Sequence, residues 1–255
     1  MNNIICVITQ KGGVGKTTTI NSIACVLNKQ HKRVLLIDMD PQGNLSFSTG
    51  SEFESGPTIY NVLRGDLKAR DAIQRCSMAD IIPSNILLSG IDLEFPGKNR
   101  EFLLKNALAP IKDLYDYILI DSPPSLNLLT VNALSASNRV ILPMLPDIFS
   151  LQGIALIYET IEHVRKSCNP DLEIAGILIN KYSRRSHLHK EVYGTAEMIS
   201  EKLEIPLFKT VIRSCVSLSE AQSLQADLME YAPRCSGAKD YRDLVAEIEE
   251  NAAKR

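Results

Sequence analysis

The run Gln10-Lys11-Gly12-Gly13-Val14-Gly15-Lys16-Thr17-Thr18 concentrates glycines, lysines and hydroxyls in one short stretch. Glycines let a backbone curl until successive N–H groups point inward at phosphate oxygens, and a helix starting at the end of the loop adds its positive dipole end. The chemistry is that of an anion cradle. Lys16 is placed to reach the β- and γ-phosphates of a nucleotide, and the Thr17 hydroxyl to ligate the accompanying magnesium, so ATP and Mg2+ are the expected cofactors. The strict pattern G-x-x-x-x-G-K-[ST] fails, because Gln10 stands where its first glycine belongs. The loop carries instead an additional lysine, Lys11.

Two further segments supply carboxylates. Val34 to Gln42 ends an apolar run with Asp38 and Asp40, and Tyr117 to Pro124 ends another with Asp121. An aspartate at a strand end serves equally as a turn residue or helix cap. Three of them beside a phosphate loop point to a nucleotide site, because side chains at the carboxyl ends of neighbouring parallel strands converge on one crevice. Asp121 suits the holding of magnesium, through a water. Asp40 suits the orientation of an attacking water, with Asp38 close to the metal behind its direct ligands.

The elements that must position these groups follow from periodicity. Short Ile/Val/Leu-rich runs are expected as strands at Ile4 to Thr9, Arg33 to Asp38, Ala79 to Ile82, Tyr117 to Asp121, Arg139 to Pro143, Glu173 to Asn180 and, more weakly, Leu207 to Ile212. Helical spacing fills the gaps. Thr17 to Gln30 aligns Ile20, Ile23, Ala24 and Leu27 on one face, and Ile154 to Val164 aligns Ile154, Ile157, Ile161 and Val164. This alternation predicts an α/β fold, a mostly parallel twisted sheet of about seven strands with helices on both faces. No repeat or Pro/Gly-rich linker divides the chain, so residues 1–255 are expected to form a single domain. Gly43 to Gly65 is the least regular stretch and is expected to be a mobile insertion.

Composition excludes several classes. Of the 255 residues, 45% are hydrophobic and 23% charged, which suits a packed core and not a disordered, collagen-like or disulfide-scaffold chain. Lys and Arg number 28 against 30 Asp and Glu, so no global basic field favours nucleic acid or membrane, and any such contact must be a local patch. The six cysteines form no C-x-x-C pair, and reduced, mostly buried thiols in a cytosolic protein are expected. Met1 to Thr9 lacks the features of a secretory signal, and the stretch Val140 to Tyr158 is interrupted well short of the roughly 18 apolar residues a spanning helix needs.

The loop, together with Asp38-Met39-Asp40-Pro41-Gln42-Gly43-Asn44 and Asp121-Ser122-Pro123-Pro124-Ser125, resembles the ParA/MinD family of P-loop ATPases, whose deviant Walker A loop has the form K-G-G-x-G-K-[ST]. A looser likeness runs from Val211 through Gln222, and within the family the chain looks most like the branch that partitions chromosomes and plasmids. The resemblance implies a P-loop NTPase in which Gly12, Gly13, Val14, Gly15, Lys16, Thr17 and Thr18 hold ATP. It also implies an ATP-dependent homodimer in which Lys11 reaches across to the partner's nucleotide. A second lysine there has a physical rationale, since phosphoryl transfer needs positive charge on developing oxyanions. The family further suggests that Asn180 meets the adenine edge; an ordinary strand-end asparagine fits the same position equally.

Lys181, Arg184, Arg185 and Lys190, with His187 and His189 interleaved, contain no acid before Glu191. Such a run is usually a solvated loop. The resemblance aligns Arg185 with an arginine used for sequence-independent DNA binding, with Arg184 and Lys181 contributing. Its implied partners are therefore non-specific duplex DNA and a ParB-like protein that stimulates hydrolysis, and its implied location is cytoplasmic and nucleoid-associated. The chain departs from the branch at Ser217, where an arginine is common, and at Cys215, where asparagine is. The alternative is a MinD-like positioning ATPase acting on a membrane or protein surface. A membrane role calls for a basic amphipathic C-terminal helix, whereas Leu244 to Arg255 is acidic for most of its length, so no membrane partner is expected. Iron–sulfur reductases sharing the loop would need paired cysteines near the dimer axis, and a small-molecule kinase or synthetase lacks a second substrate motif.

Overall fold

A computed structural model describes residues 3–94 and 97–253. Met1 and Asn2, at the start of the segment weighed as a secretory signal, and Lys254 and Arg255, at the end of the acidic segment, lie outside the described residues. Seven strands form one sheet: β1 Asn3–Val7, β2 Val34–Asp38, β3 Gln74–Arg75, β4 Asp80–Ile82, β5 Tyr117–Asp121, β6 Arg139–Met144 and β7 Glu173–Ile179. Their order is β3-β4-β2-β5-β1-β6-β7, and every described pairing is parallel except the short edge strand β3 against β4. The predicted α/β class and mostly parallel sheet are observed.

Alternation along the strands sorts side chains to two faces. Ile4, Cys6, Leu35, Ile37, Ile118 and Ile120 enter one core, and Ile5, Val7, Val34, Leu36, Tyr117 and Leu119 the other. The first core is closed by α3 Ile59–Arg64, α5 Leu103–Leu108, α6 Leu128–Ala136, α7 Ile148–Ser167 and α8 His187–Leu203. The second is closed by α1 Lys16–Lys29, α9 Val216–Ser223, α10 Leu228–Tyr231 and α11 Ser236–Ala253. Two short helices, α2 Asn44–Thr49 and α4 Ile91–Glu94, complete the order. Helix α1 is buried nearly all round, Cys25 and Val26 included, because α11 packs on the side turned away from the sheet. At about 1.5–3 kcal/mol for each fully buried large aliphatic side chain, this layering is the main source of the fold's stability.

Three expectations need correction. The stretch Gly43 to Gly65 is no loose insertion: it contains α2 and α3, and Leu45 and Ile59 within it are fully buried. Leu207 to Ile212 forms no strand; an isolated bridge joins Leu207 to Ile177 of β7, and another just beyond the segment joins Arg213 to Tyr182. The segment's backbone bonds β7 at single points, the Phe208 N–H to the Ile177 carbonyl at 3.0 Å and the Ile212 N–H to the Ile179 carbonyl at 2.9 Å, while the Phe208 ring seats over Gly176 on the face of the sheet. Finally, only Cys6 and Cys25 are buried; Cys76, Cys168, Cys215 and Cys235 are partly exposed, and all six are free thiols.

The sheet order also sets the position of the site. The chain leaves β1 towards β2 on one side, and later places β6 on the other, so the carboxyl end of β1 is a topological switch point. Register brings Val7, Asp38 and Asp121 level at that end of β1, β2 and β5.

Candidate active site

The loop after β1 leads directly into α1, whose N-cap, Gly15, has φ 94 and carries no side-chain cap. A side chain there would be strained by the left-handed backbone, and its Cβ would lie 3.0 Å from the Asn180 side-chain nitrogen. No acid occupies the first turn of α1. The helix therefore presents its free N–H groups and positive end undiluted. They face a cavity of about 770 Å³ lined by Gly12 through Thr18, Asp40, Asn180 and Lys181, with the segment Ile212–Leu218 and Gln222 forming its far wall.

Lys16 is only 7% exposed. Burial pulls its ammonium below the ordinary lysine range, against the attraction of Asp121 and Asp40. Thr17 donates its hydroxyl to Asp121 Oδ2 at 2.6 Å. Asp121 Oδ1 is buried and has no hydrogen-bond partner. Burial, and then the neighbouring Asp38 carboxylate, push Asp121 well above the usual carboxylate range, opposed by the Thr17 hydroxyl and Lys16. A hydroxyl and an orphaned carboxyl oxygen, on a group whose charged form lacks a sufficient counter-charge, form a hard oxygen donor set, and these residues fit magnesium.

The three aspartates have different surroundings. Asp38 is fully buried and does not line the cavity; its oxygens accept from the Asp40 N–H at 3.0 Å and from the Ser46 N–H and hydroxyl at 2.9 and 2.7 Å. Burial raises its carboxyl, and those donors from Ser46 and Asp40 oppose the rise. Asp38 thus couples β2 to α2 and orients the backbone that carries Asp40. Asp40 lies on the cavity wall, accepting from the Gln42 N–H at 3.0 Å.

Other side chains are committed in ways their sequence positions do not reveal. Asn180 donates to the Val14 carbonyl at 2.8 Å, which ties the end of β7 to the phosphate loop, while its buried Oδ1 has no partner. Thr18 donates to Gln222 of α9 at 3.0 Å. Lys181 donates to the Gly13 carbonyl at 3.1 Å and so belongs to the cavity rim, apart from the exposed Arg184 and Arg185. Neither of those arginines forms an ion pair with the described residues. Lys11 does not line the cavity of its own chain: its ammonium meets Asp147 at 2.6 Å and the Ser150 hydroxyl at 3.4 Å, at the start of α7. Asp147 is the N-cap of α7. Its Asp-x-x-Ser spacing could have signalled a helix start, but nothing local signals Lys11.

Comparison with known proteins places this geometry. A family model described as an AAA domain matches residues 2–174. The sporulation initiation inhibitor protein Soj of Bacillus subtilis is 40% identical over 255 residues, covering 98% of this chain and 100% of Soj. The chain belongs to the ParA/MinD family of P-loop ATPases. The chromosome partitioning protein ParA of Caulobacter vibrioides is 38% identical over 251 residues, covering 96% of this chain and 93% of that one. Among solved structures, cobyrinic acid a,c-diamide synthase from Mycobacterium smegmatis with bound ADP and magnesium superposes with a TM-score of 0.86 at 32% identity, covering 100% of this chain and 97% of that one. As a member of this family the chain is an ATPase, and its seven-stranded sheet is a P-loop NTPase fold.

Proposed function

We propose that this ATPase is a nucleotide-switched partition protein: it binds ATP and magnesium, dimerises with ATP, holds duplex DNA without sequence preference and hydrolyses slowly under the stimulus of a ParB-like partner. The whole chain, residues 1–255, acts as one ATPase domain. Likeness over nearly the full chain to proteins named for chromosome partitioning is the observation that carries this reading.

The site supplies a physical route. N–H groups of Gly12 to Thr18 and the Lys16 ammonium bind the β- and γ-phosphates, and the Val14 carbonyl is steadied by Asn180. Thr17 and Asp121 hold magnesium, which supplies charge neutralisation on the phosphate oxygens when bound. Asp40, on the cavity wall with its backbone oriented by Asp38, holds the attacking water. Lys11 leaves Asp147 and adds positive charge to the partner's nucleotide, which makes hydrolysis depend on dimerisation. Asn180 keeps its amide nitrogen on the loop, so its unpartnered Oδ1 is the atom offered to the adenine amino group.

Arg184 and Arg185 project from the loop between β7 and α8, which is folded by donation from the Ser183 N–H to His189 at 2.9 Å. Two such loops on one dimer double the phosphate contacts that one chain offers, so nucleotide state controls DNA affinity through valency. A membrane role receives no support from α11, whose Tyr241, Leu244, Val245 and Ile248 face the core. No helix of the described residues is long and apolar enough to cross a membrane. Nucleoid association follows from the DNA contact.

ATP-loaded Asp40→Ala protein is expected to be retained on duplex DNA at low salt and released as salt rises, with Arg185→Glu weakening retention on all sequences alike. Retention measured at two salt concentrations checks this. Retention on liposomes and not on DNA would refute it.

A further inference from the structure

The fold brings together two of the six cysteines that the sequence keeps twenty residues apart. Cys215 immediately precedes α9 and Cys235 immediately precedes α11. The segments that carry them meet: Arg213 donates to the Ser236 carbonyl at 3.3 Å and Leu218 of α9 packs against Gly237 of α11, and both cysteines remain partly exposed while Cys6 and Cys25 are enclosed. The donors around the pair are numerous. The Ala238 N–H points at Cys235 Sγ at 3.3 Å, and the Gly237 and Ser217 N–H groups, the Ser236 side chain and Cys235 all favour the charged form of Cys215. Burial raises the Cys215 thiol, but these donors and Cys235 outweigh it and hold the thiol below its ordinary range. Burial instead pushes the thiols of Cys6, Cys25 and Cys76 up.

The place of the pair gives it a consequence. Cys215 lines the far wall of the nucleotide cavity, between Arg213 and Leu218. That wall is joined to α11 by the Arg213 guanidinium, which meets Asp240 at 2.6 Å. Across the cavity, Thr18 at the end of the phosphate loop holds Gln222 of the same wall.

We propose that Cys215 and Cys235 form a reversible disulfide, with a hydroperoxide as oxidant, that clamps the far wall of the nucleotide cavity to α11. The Cys215 thiolate attacks one peroxide oxygen; the O–O bond breaks, the sulfur becomes a sulfenic acid, and the departing hydroxide takes up the proton that the thiol had shed, leaving as water. Cys235 then attacks the sulfenic sulfur. The S–S bond forms, the S–O bond breaks, and the hydroxyl leaves as a second water with the Cys235 proton. Two thiols are oxidised by two electrons in all, and one hydrogen peroxide is reduced to two waters. A dithiol reductant reverses the bond by exchange. The clamp rests on the reading of this cavity as the nucleotide site: a wall fixed covalently to α11 parts less readily from the phosphate loop, so bound nucleotide leaves more slowly.

The full chain, treated with a small excess of hydrogen peroxide, alkylated and digested, is expected to yield peptides joined through Cys215 and Cys235, to lose two of its six thiols and to regain them with dithiothreitol. Cys215→Ser and Cys235→Ser should each abolish the joined peptides, whereas Cys168→Ser keeps them. Release of a fluorescent ADP analogue should be several-fold slower from oxidised than from reduced protein, and Cys235→Ser should remove the difference. Cys215 recovered as a sulfinic acid with Cys235 still open to alkylation, or a disulfide between chains, would overturn the bond. Equal release rates in a protein that carries the bond would overturn the clamp. A reduced protein that fails to bind the analogue would overturn the nucleotide reading and the clamp with it, while the peptide map decides the disulfide independently.

Discussion

Lys11 and Lys16 are five residues apart and have opposite surroundings. Lys16 is enclosed beside Asp121 and Asp40; burial pulls its ammonium below the ordinary lysine range, and those carboxylates oppose the fall. Lys16→Ala removes the fixed cation from a phosphate cradle, so nucleotide affinity should fall by roughly 100-fold, equivalent to about 3 kcal/mol. Titration with a fluorescent ATP analogue checks this, and wild-type affinity would sink the assignment. Asp40→Ala should retain that affinity and lose turnover by about 10²–10⁴-fold, because a water-holding carboxylate acts on the chemical step while the cradle holds the ground state. Single-turnover hydrolysis separates the two effects.

At the scale of elements, the site depends on segments packed behind the strand ends. Helix α2 follows β2 closely and returns Ser46 to Asp38; β7 ends in Asn180, which grips the phosphate loop. The segment after Leu207 is held to β7 by the seating of Phe208 over Gly176, where an added Cβ would lie 2.8 Å from the ring. Backbone and ring cannot both keep their places. Gly176→Ala should therefore destabilise the protein by about 1–3 kcal/mol, as overpacking of a filled core does. Because Ile212 to Cys215 continues that segment into the cavity wall, nucleotide affinity should weaken with it. Chemical denaturation reads the first effect, and an unchanged midpoint would show that Phe208 yields freely.

For the molecule as a whole, the contact of Lys11 with Asp147 matters more than its energy suggests. The two side chains are 37% and 31% exposed, so the pair contributes only about 0–1 kcal/mol to folding. In the dimer proposed above, each chain gives up this interaction when its Lys11 reaches across. Asp147→Ala is expected to leave the fold intact and, because each of the two chains gives up its pair, to lower the protein concentration needed for ATP-dependent dimerisation by up to about 30-fold, the equivalent of about 2 kcal/mol. Sedimentation of ATP-loaded Asp40→Ala protein, with and without the second substitution, measures the shift. Weaker dimerisation in the double variant would mean that Asp147 serves the dimer itself.

What the sequence by itself determined is local and periodic: glycines and lysines fused to an apolar run specify a phosphate loop, and aspartates closing later apolar runs place carboxylates at strand ends. Six of the seven strands follow from the same rule, since a strand buried on both faces reads as a continuous aliphatic run. The edge strand Gln74–Arg75 is too short to leave such a run. Contacts between distant segments were decided by tertiary structure alone. Thr58 caps α3 through a box with Asn61, and buried Leu45 anchors α2, so a stretch that reads as irregular is ordered by its neighbours. Lys181 reads as part of a basic run, and a positive φ of 54 together with the Gly13 carbonyl turns it to the cavity. Lys11 with Asp147 and Cys215 with Cys235 likewise lie too far apart in the chain for any spacing rule to join them. Side-chain pairing of this kind depends on where the sheet order and the packing of α7, α9 and α11 bring separate backbones together, and periodicity carries no information about that meeting.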